Sequence, residues 1–320
     1  MAELPRRIAI TGAAGLLGRS DMARLVRSPA VESVVAVDVR PVQPPAGSDG
    51  KVVTVVRDVR EPMDDVLSEH GVEAVIHLAY LLRPSRDRSA ARRTNVDAVE
   101  SLLRGCAAAG VRQIVYPSST TVYGAHPGFV RPFTEEDPPN PVRGFQYSED
   151  KVAAERLFTA YQQEHPETPV CILRGCVVMA AGADNFVARA LGRPFLPAPM
   201  GADPEMQFLH ADDYSRAVEA ALAAGARGVY NIAGRGTVRW REMVAAAGRR
   251  VVPLPAPLLA ALMDASWRLR LQNESPSCGL NFIRHPWLAS TAKIERELGW
   301  TPQHTSREAL LSWCRGGASA

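Results

Sequence analysis

Apolar residues fall along the chain in two patterns that alternate. Short runs rich in Val and Ile, at 7–10, 34–37, 52–56, 74–78, 113–117 and 170–173, lack the apolar-polar alternation of a half-exposed strand. They predict parallel strands covered by helices on both faces. Between them, apolar positions three and four apart predict helices over 16–27, 63–69, 95–109 and 148–164. In the third of these, Val96, Val99, Leu102, Leu103 and Cys106 form one stripe, which is either core or a subunit interface. Strand and helix in succession predict an α/β chain with a doubly wound parallel sheet. After residue 173 the regularity weakens and Gly and Pro become frequent, so 174–314 reads mainly as a smaller C-terminal lobe, with about 207–235 returning to the first domain. An apolar helix over 258–267 reads first as core of that lobe and second as the roof of an apolar pocket. Residues 315–320 read as a flexible tail.

The composition fits a soluble globular protein: of 320 residues, 46% are hydrophobic and 22% charged. Thirty-seven basic residues against 34 acidic leave a net charge of +3, too small to make nucleic acid or an anionic membrane the principal partner. The five cysteines form no Cys-x-x-Cys pair, so neither a disulfide framework nor a metal site is expected and a reducing cytoplasm fits. No run has the apolar length of a membrane span or a signal-peptide core. Only Lys51, Lys151 and Lys293 are lysines, so the basic residues are nearly all arginine.

The first strand leads into Thr11-Gly12-Ala13-Ala14-Gly15-Leu16-Leu17-Gly18, where a helix starts. Gly12 allows a tight turn, Gly15 lets backbone approach a pyrophosphate, and Gly18 lets helix pack on strand, while the helix N-terminus offers N–H groups to phosphates. With a strand before it and a helix after it, the run reads as a Rossmann-type dinucleotide site on a domain spanning about 1–173, rather than as an ordinary flexible turn. Asp38 ends the second strand 20 residues beyond Gly18; a carboxylate there accepts from both ribose hydroxyls and repels a 2′-phosphate, which favours NAD over NADP. Arg40 is the residue that could reverse that preference. Asp58, followed by Val59, either caps an adenine amino group or starts the next turn.

Tyr147 and Lys151 stand four apart on the helix over 148–164 and its approach, hence on one face. A phenol is a poor base near neutrality, and a nearby ammonium stabilises its phenolate for proton exchange with an alcohol or ketone. Upstream, Ser118-Ser119-Thr120-Thr121-Val122-Tyr123-Gly124 follows a strand end, the edge where open α/β sheets bind ligands. Ser118, Thr120 and Thr121 read as turn hydroxyls and Tyr123 as a pocket wall.

These features, with His77-Leu78-Ala79, Asn95 opening a helix, and Gln207-Phe208-Leu209-His210-Ala211-Asp212-Asp213, occur in the order seen in extended short-chain dehydrogenases/reductases, also called the NAD-dependent epimerase/dehydratase family. The chain resembles that family over nearly its whole length. The resemblance implies a catalytic set of Ser119, Tyr147 and Lys151. It implies NAD lined or supported by Gly12, Gly15, Leu16, Leu17 and Gly18, by Asp38, Asp58 and Val59, and by Leu78, Ala79, Asn95 and Cys176, together with Tyr147 and Lys151. It also implies a homodimer through helices 95–109 and 148–164. Two departures stand out. Sugar-nucleotide 4,6-dehydratases place an Asp-Glu pair after the catalytic Ser or Thr, where this chain has Thr120 and Thr121, which argues against that reaction. The usual Arg-Pro after the next strand is Arg174-Gly175 here, which predicts a loosened turn beside Cys176.

Arg83, Arg86, Arg88, Arg92 and Arg93 follow the fourth strand and read either as a solvated helix face or as a meeting place for an anionic substrate. His126 and His210 read as structural, and Asn185 either caps a helix or holds a substrate hydroxyl. The leading expectation is reversible hydride transfer between NAD and a secondary alcohol or ketone of a small or apolar metabolite. A sugar-nucleotide epimerase retaining its NAD is the alternative, and a non-catalytic NAD-binding sensor or scaffold the third reading.

Overall fold

The computed structural model describes residues 4–82 and 86–317; Arg83 lies outside them. Seven parallel strands form the central sheet: β1 (Arg7–Thr11), β2 (Ser33–Asp38), β3 (Val52–Val56), β4 (Ala74–His77), β5 (Gln113–Ser119), β6 (Val170–Gly175) and β7 (Gly228–Ile232). Their order is β7-β6-β5-β4-β1-β2-β3, so the chain winds outward one way from β1 and then the other way from β4. The crevice between the carboxyl ends of β1 and β4 is the switch point where doubly wound sheets bind ligands.

The missing polar alternation in the strands has a direct cause. Ile8, Ile10, Val34 and Ala36 feed one core with α1 (Leu16–Leu25) and α7 (Ala211–Ala224). Ala9, Val35 and Val37 feed the opposite core with α2 (Asp64–Glu69), α4 (Ala98–Ala108) and α5 (Gln146–Glu164). Successive side chains point to opposite faces, and both faces are buried, except at the edge strand β3, where Thr54 and Val56 are exposed because no further strand or helix among the described residues covers them. The stripe from Val96 to Cys106 is core, each of its residues being at most 5% exposed.

Several boundaries differ from the sequence expectation. The first helix stops at Leu25 rather than at residue 27. The helix expected over 95–109 starts earlier and is broken: α3 (Arg88–Arg92) precedes it, a π-helical stretch Arg93–Asp97 opens it, and α4 completes it. The loosened turn at Arg174-Gly175 does not form. Both residues stay in β6, paired with Asn231 and Ile232 of β7, because Arg174 finds a buried partner described below. The expected tail at 315–320 begins as helix, since Ser306–Gly317 is one element.

The smaller lobe contains α6 (Phe186–Leu191), α8 (Trp240–Ala246) and α9 (Ala256–Arg268), around a third core that includes Phe208, Trp240, Phe282 and Trp287. Between these elements α7 and β7 return to the main sheet, β7 pairing parallel to β6. Among the described residues no helix is long and apolar enough to cross a membrane.

Candidate active site

A cavity of about 1510 Å³ runs from the glycine-rich turn, across the carboxyl ends of the strands, to α9. The turn after β1 is sterically exacting. Gly12 has φ +72°, and a Cβ there would lie 2.7 Å from the backbone of Leu78 and Ala79; a Cβ on Gly18 would lie 2.6 Å from Ala13. Gly15 caps α1 with no side-chain hydrogen bond, and no acidic residue stands in the first turn. The N–H groups at that helix end are therefore left for an anion, which is the geometry a pyrophosphate requires. Leu16, Leu17 and Gly18 line the cavity there.

At the end of β2, Asp38 is 7% exposed and accepts from the Ala14 N–H and the Arg40 N–H, each at 3.0 Å. Its carboxylate thus ties the glycine-rich turn to β2 while still facing the cavity. The Arg40 guanidinium lies 3.5 Å from it, largely in solvent. Asp58 is bound by Arg60 through a two-pronged ion pair of 2.6–3.0 Å, which holds its carboxyl below the ordinary value, ahead of a smaller opposing effect of burial. Asp58, Val59, Leu78, Ala79, Asn95 and Cys176 all line the same cavity. Burial pushes the Cys176 thiol up to about 12, so this sulfur is an apolar wall rather than a nucleophile.

Ser119 at the end of β5 and Tyr147 and Lys151 on α5 meet in the middle of the cavity. Burial raises the Tyr147 phenol above its ordinary value, and a hydrogen bond with the Ser119 side chain opposes this. Ser119 Oγ also accepts from Thr121 N at 3.2 Å and from Thr121 Oγ1 at 3.0 Å. The Lys151 ammonium donates to the Pro117 carbonyl at 2.7 Å and lies 4.3 Å from the Tyr80 ring centroid and 4.6 Å from that of Tyr116. Burial brings Lys151 down from 10.5 to about 7, with Glu155 and Asp150 pulling the other way.

The sequence reading missed the residues that hold this trio. Tyr80 donates to the Tyr147 carbonyl at 3.1 Å and meets its ring edge-on at 5.3 Å; its signal was adjacency to Leu78-Ala79 at a strand end. Glu155 stands one helical turn after Lys151, so it shares that face. It accepts from Ser118 and holds Arg174 with contacts of 2.7 and 3.0 Å, both side chains being nearly inaccessible at 6% and 5%. Arg174 also donates to the Tyr123 hydroxyl at 2.9 Å. Tyr123 is thereby a buried strut and does not face the cavity, contrary to the wall expected of it. The π-helical stretch presents Asn95, whose amide accepts from Leu81 N at 2.8 Å and donates to Asp150 at 3.1 Å. His77 shares a hydrogen bond with Thr11 at 2.8 Å and is driven by burial, then by the Lys151 charge, to about 3; it is neutral and structural.

The remaining candidates separate cleanly. Asn185 caps α6, accepting from Val187 and Ala188 N–H groups at 3.1 Å and donating to the Val178 carbonyl at 2.7 Å. His210 caps α7 and His126 bonds the Asn140 carbonyl. Arg88 pairs with Glu149 at 2.6 Å, while Arg92 and Arg93 are exposed. Arg86 lies across the Trp267 ring at 4.6 Å and donates to the carbonyls of Trp267 and Gln272 at 2.7 and 2.8 Å, which joins the segment after β4 to the end of α9. The helix itself is not core as first read: only Leu259 is buried, while Leu259, Leu262, Met263 and Trp267 line the cavity as a roof.

With this geometry in hand, residues 8–233 match the family described as NAD dependent epimerase/dehydratase. The chain belongs to that family. Among relatives of this epimerase/dehydratase-family chain, an uncharacterized protein of Mycobacterium tuberculosis (strain ATCC 25618 / H37Rv) is 29% identical over 319 residues, covering 98% of this chain and 85% of that one. A dTDP-glucose 4,6-dehydratase of Streptomyces griseus is 27% identical, covering 92% of this chain and 88% of the relative. The structure of MoeE5 in complex with UDP-glucose and NAD superposes with a TM-score of 0.77 at 26% identity, over 98% of each chain.

Proposed function

We propose that the protein catalyses reversible hydride transfer between NAD and a secondary alcohol or ketone of an apolar metabolite, with Tyr147 as acid and base. The observation that carries this reading is that Ser119, Tyr147 and Lys151 share one cavity with an uncapped helix N-terminus and a fixed Asp38 carboxylate. Bound NAD supplies the hydride acceptor or donor at nicotinamide C4. The first-turn N–H groups of α1 hold its phosphates and Asp38 its ribose hydroxyls.

The chain's own residues supply the proton chemistry. A phenol raised by burial is protonated at neutral pH, so Tyr147 is set to give its proton to a substrate oxygen in the reductive direction. Ser119 donates to the same oxygen and orients it. Lys151, brought down by burial to about 7, carries in its protonated form the charge that stabilises the phenolate left behind, and Tyr80 and the Pro117 carbonyl position that ammonium. The Thr120 and Thr121 side chains are hydroxyls, the first bonded to the Gly175 carbonyl and the second to Ser119. They offer no carboxylate for the acid-base steps of a 4,6-dehydratase.

The likeness to MoeE5 with UDP-glucose favours a second reading, a sugar-nucleotide epimerase that retains NAD. Replacing Tyr147→Phe tests the shared chemistry: turnover should fall about 10²- to 10⁴-fold with NAD affinity unchanged, and full activity in the variant would sink both readings. Denaturing the purified protein and identifying the released nucleotide separates them. Stoichiometric NAD supports the epimerase, whereas an empty site that binds NAD reversibly supports the dehydrogenase.

A further inference from the structure

The cavity exceeds the roughly 300–1,000 Å³ of a pocket for one ligand, so its 1510 Å³ leave a second compartment beyond Tyr147. This compartment is walled by Phe145, Phe186, Leu259, Met263, Trp267 and Phe282. Most of its polar side-chain atoms are already engaged within the protein. Asn185 is used in capping α6, Gln272 bonds Ser275 and Glu274 at 2.7 Å, and Arg189 lies between Asp184 and Glu274, with one terminal nitrogen, Nη2, buried and unpartnered among the described residues. A nucleotide base or sugar entering here would give up its water for few free partners, a costly exchange.

Two wholly unpaired guanidinium groups stand at the end of α9. Arg268 and Arg270 line the cavity and are exposed, and among the described residues no ion pair or side-chain hydrogen bond engages either guanidinium. Arg270 has φ +62°. It occupies the position after the helix end where the following N–H, that of Leu271, reaches back to the Ser266 carbonyl at 2.9 Å, a left-handed position that glycine ordinarily fills. An arginine is kept there against its backbone preference, at the mouth of an apolar compartment.

We propose that the second compartment takes an alcohol or ketone with an extended apolar body and an anionic group at the end remote from the reacting carbon, received by Arg268 and Arg270. The inference rests on the hydride-transfer reading for the reacting carbon, and on the compartment alone for the rest.

The test uses the full chain loaded with NAD and a fluorescent acyl carboxylate, dansyl-undecanoic acid, read by emission without turnover. The probe should bind saturably, be displaced by straight-chain hydroxy acids of six to fourteen carbons with affinity rising up to about fourfold per methylene, and be unaffected by UDP-glucose. Arg268→Gln with Arg270→Gln should weaken the carboxylate at least tenfold and leave its methyl ester unchanged. Arg270→Gly alone should weaken the carboxylate while raising the melting temperature, the mark of a strained residue kept for binding. Displacement by UDP-glucose, absence of chain-length dependence, or equal loss of acid and ester in the double variant would each overturn the proposal. Probe binding as expected, with no NADH formed from any of these alcohols, leaves the compartment assigned and counts against the hydride-transfer reading instead.

Discussion

Asp38 uses both carboxylate oxygens on backbone N–H groups, those of Ala14 and Arg40, so its position at the end of β2 is set before any ligand arrives. Hydrogen bonds to charged groups are worth about 1.5–3 kcal/mol. Asp38→Ala should therefore weaken NAD about 10- to 150-fold in a fluorescence titration, while NADP, relieved of a repelling charge, weakens less. Equal weakening of both would show that Asp38 acts only by tying down the glycine-rich turn. The residues whose place in the cavity was legible in the sequence are those set by near neighbours: Gly12 by a turn, Asp38 by a strand end, Tyr147 and Lys151 by one helical turn. Glu155 and Arg174 were not, because β6 brings Arg174 to α5 across 19 positions of chain, and nothing in either local pattern announces the pairing.

Among the elements, α1 and α7 lie side by side on one face of the sheet, and Asp21 of α1 is buried at 1% exposure between them. Burial raises its carboxyl from 3.8 to about 7, with Ser215 and Arg24 countering only in part. Between those values the unfolded chain releases a proton that the folded chain keeps, so stability falls as pH rises across the window. The loss is at most about 4 kcal/mol. Urea unfolding from pH 4 to 8 should show this slope, and Asp21→Asn should flatten it; an unchanged slope in the variant would assign it to other groups. The helices themselves were readable from apolar spacing. Their ends were not, because no Gly or Pro stands at Leu25 or within Arg93–Asp97 to mark the stop and the break.

For the whole molecule, the apolar stripe of α4 is consumed by the core, leaving Glu100, Arg104 and Ala107 exposed, as Arg156, Thr159 and Ala160 are on α5. We propose that these faces form a homodimer held by close approach at the alanines rather than by a broad apolar seam. Light scattering should give twice the chain mass, falling on dilution, and Ala107→Arg with Ala160→Arg should give monomers that still bind NAD. A wild-type monomer at all concentrations would refute it. The lobe beyond residue 173 was the least legible part of the chain, since its core is assembled from short elements that no single period describes. The π-helical stretch, finally, has a hereditary meaning. It carries a residue more per turn than an α-helix, and removing one between Arg93 and Asp97 would restore a regular helix while turning everything upstream by about 100° relative to α4. Asn95 could not then reach both Leu81 and Asp150. A descendant of this protein can lengthen or shorten loops remote from the cavity, but a single-codon deletion in these five positions would leave a sound helix and a dismantled site.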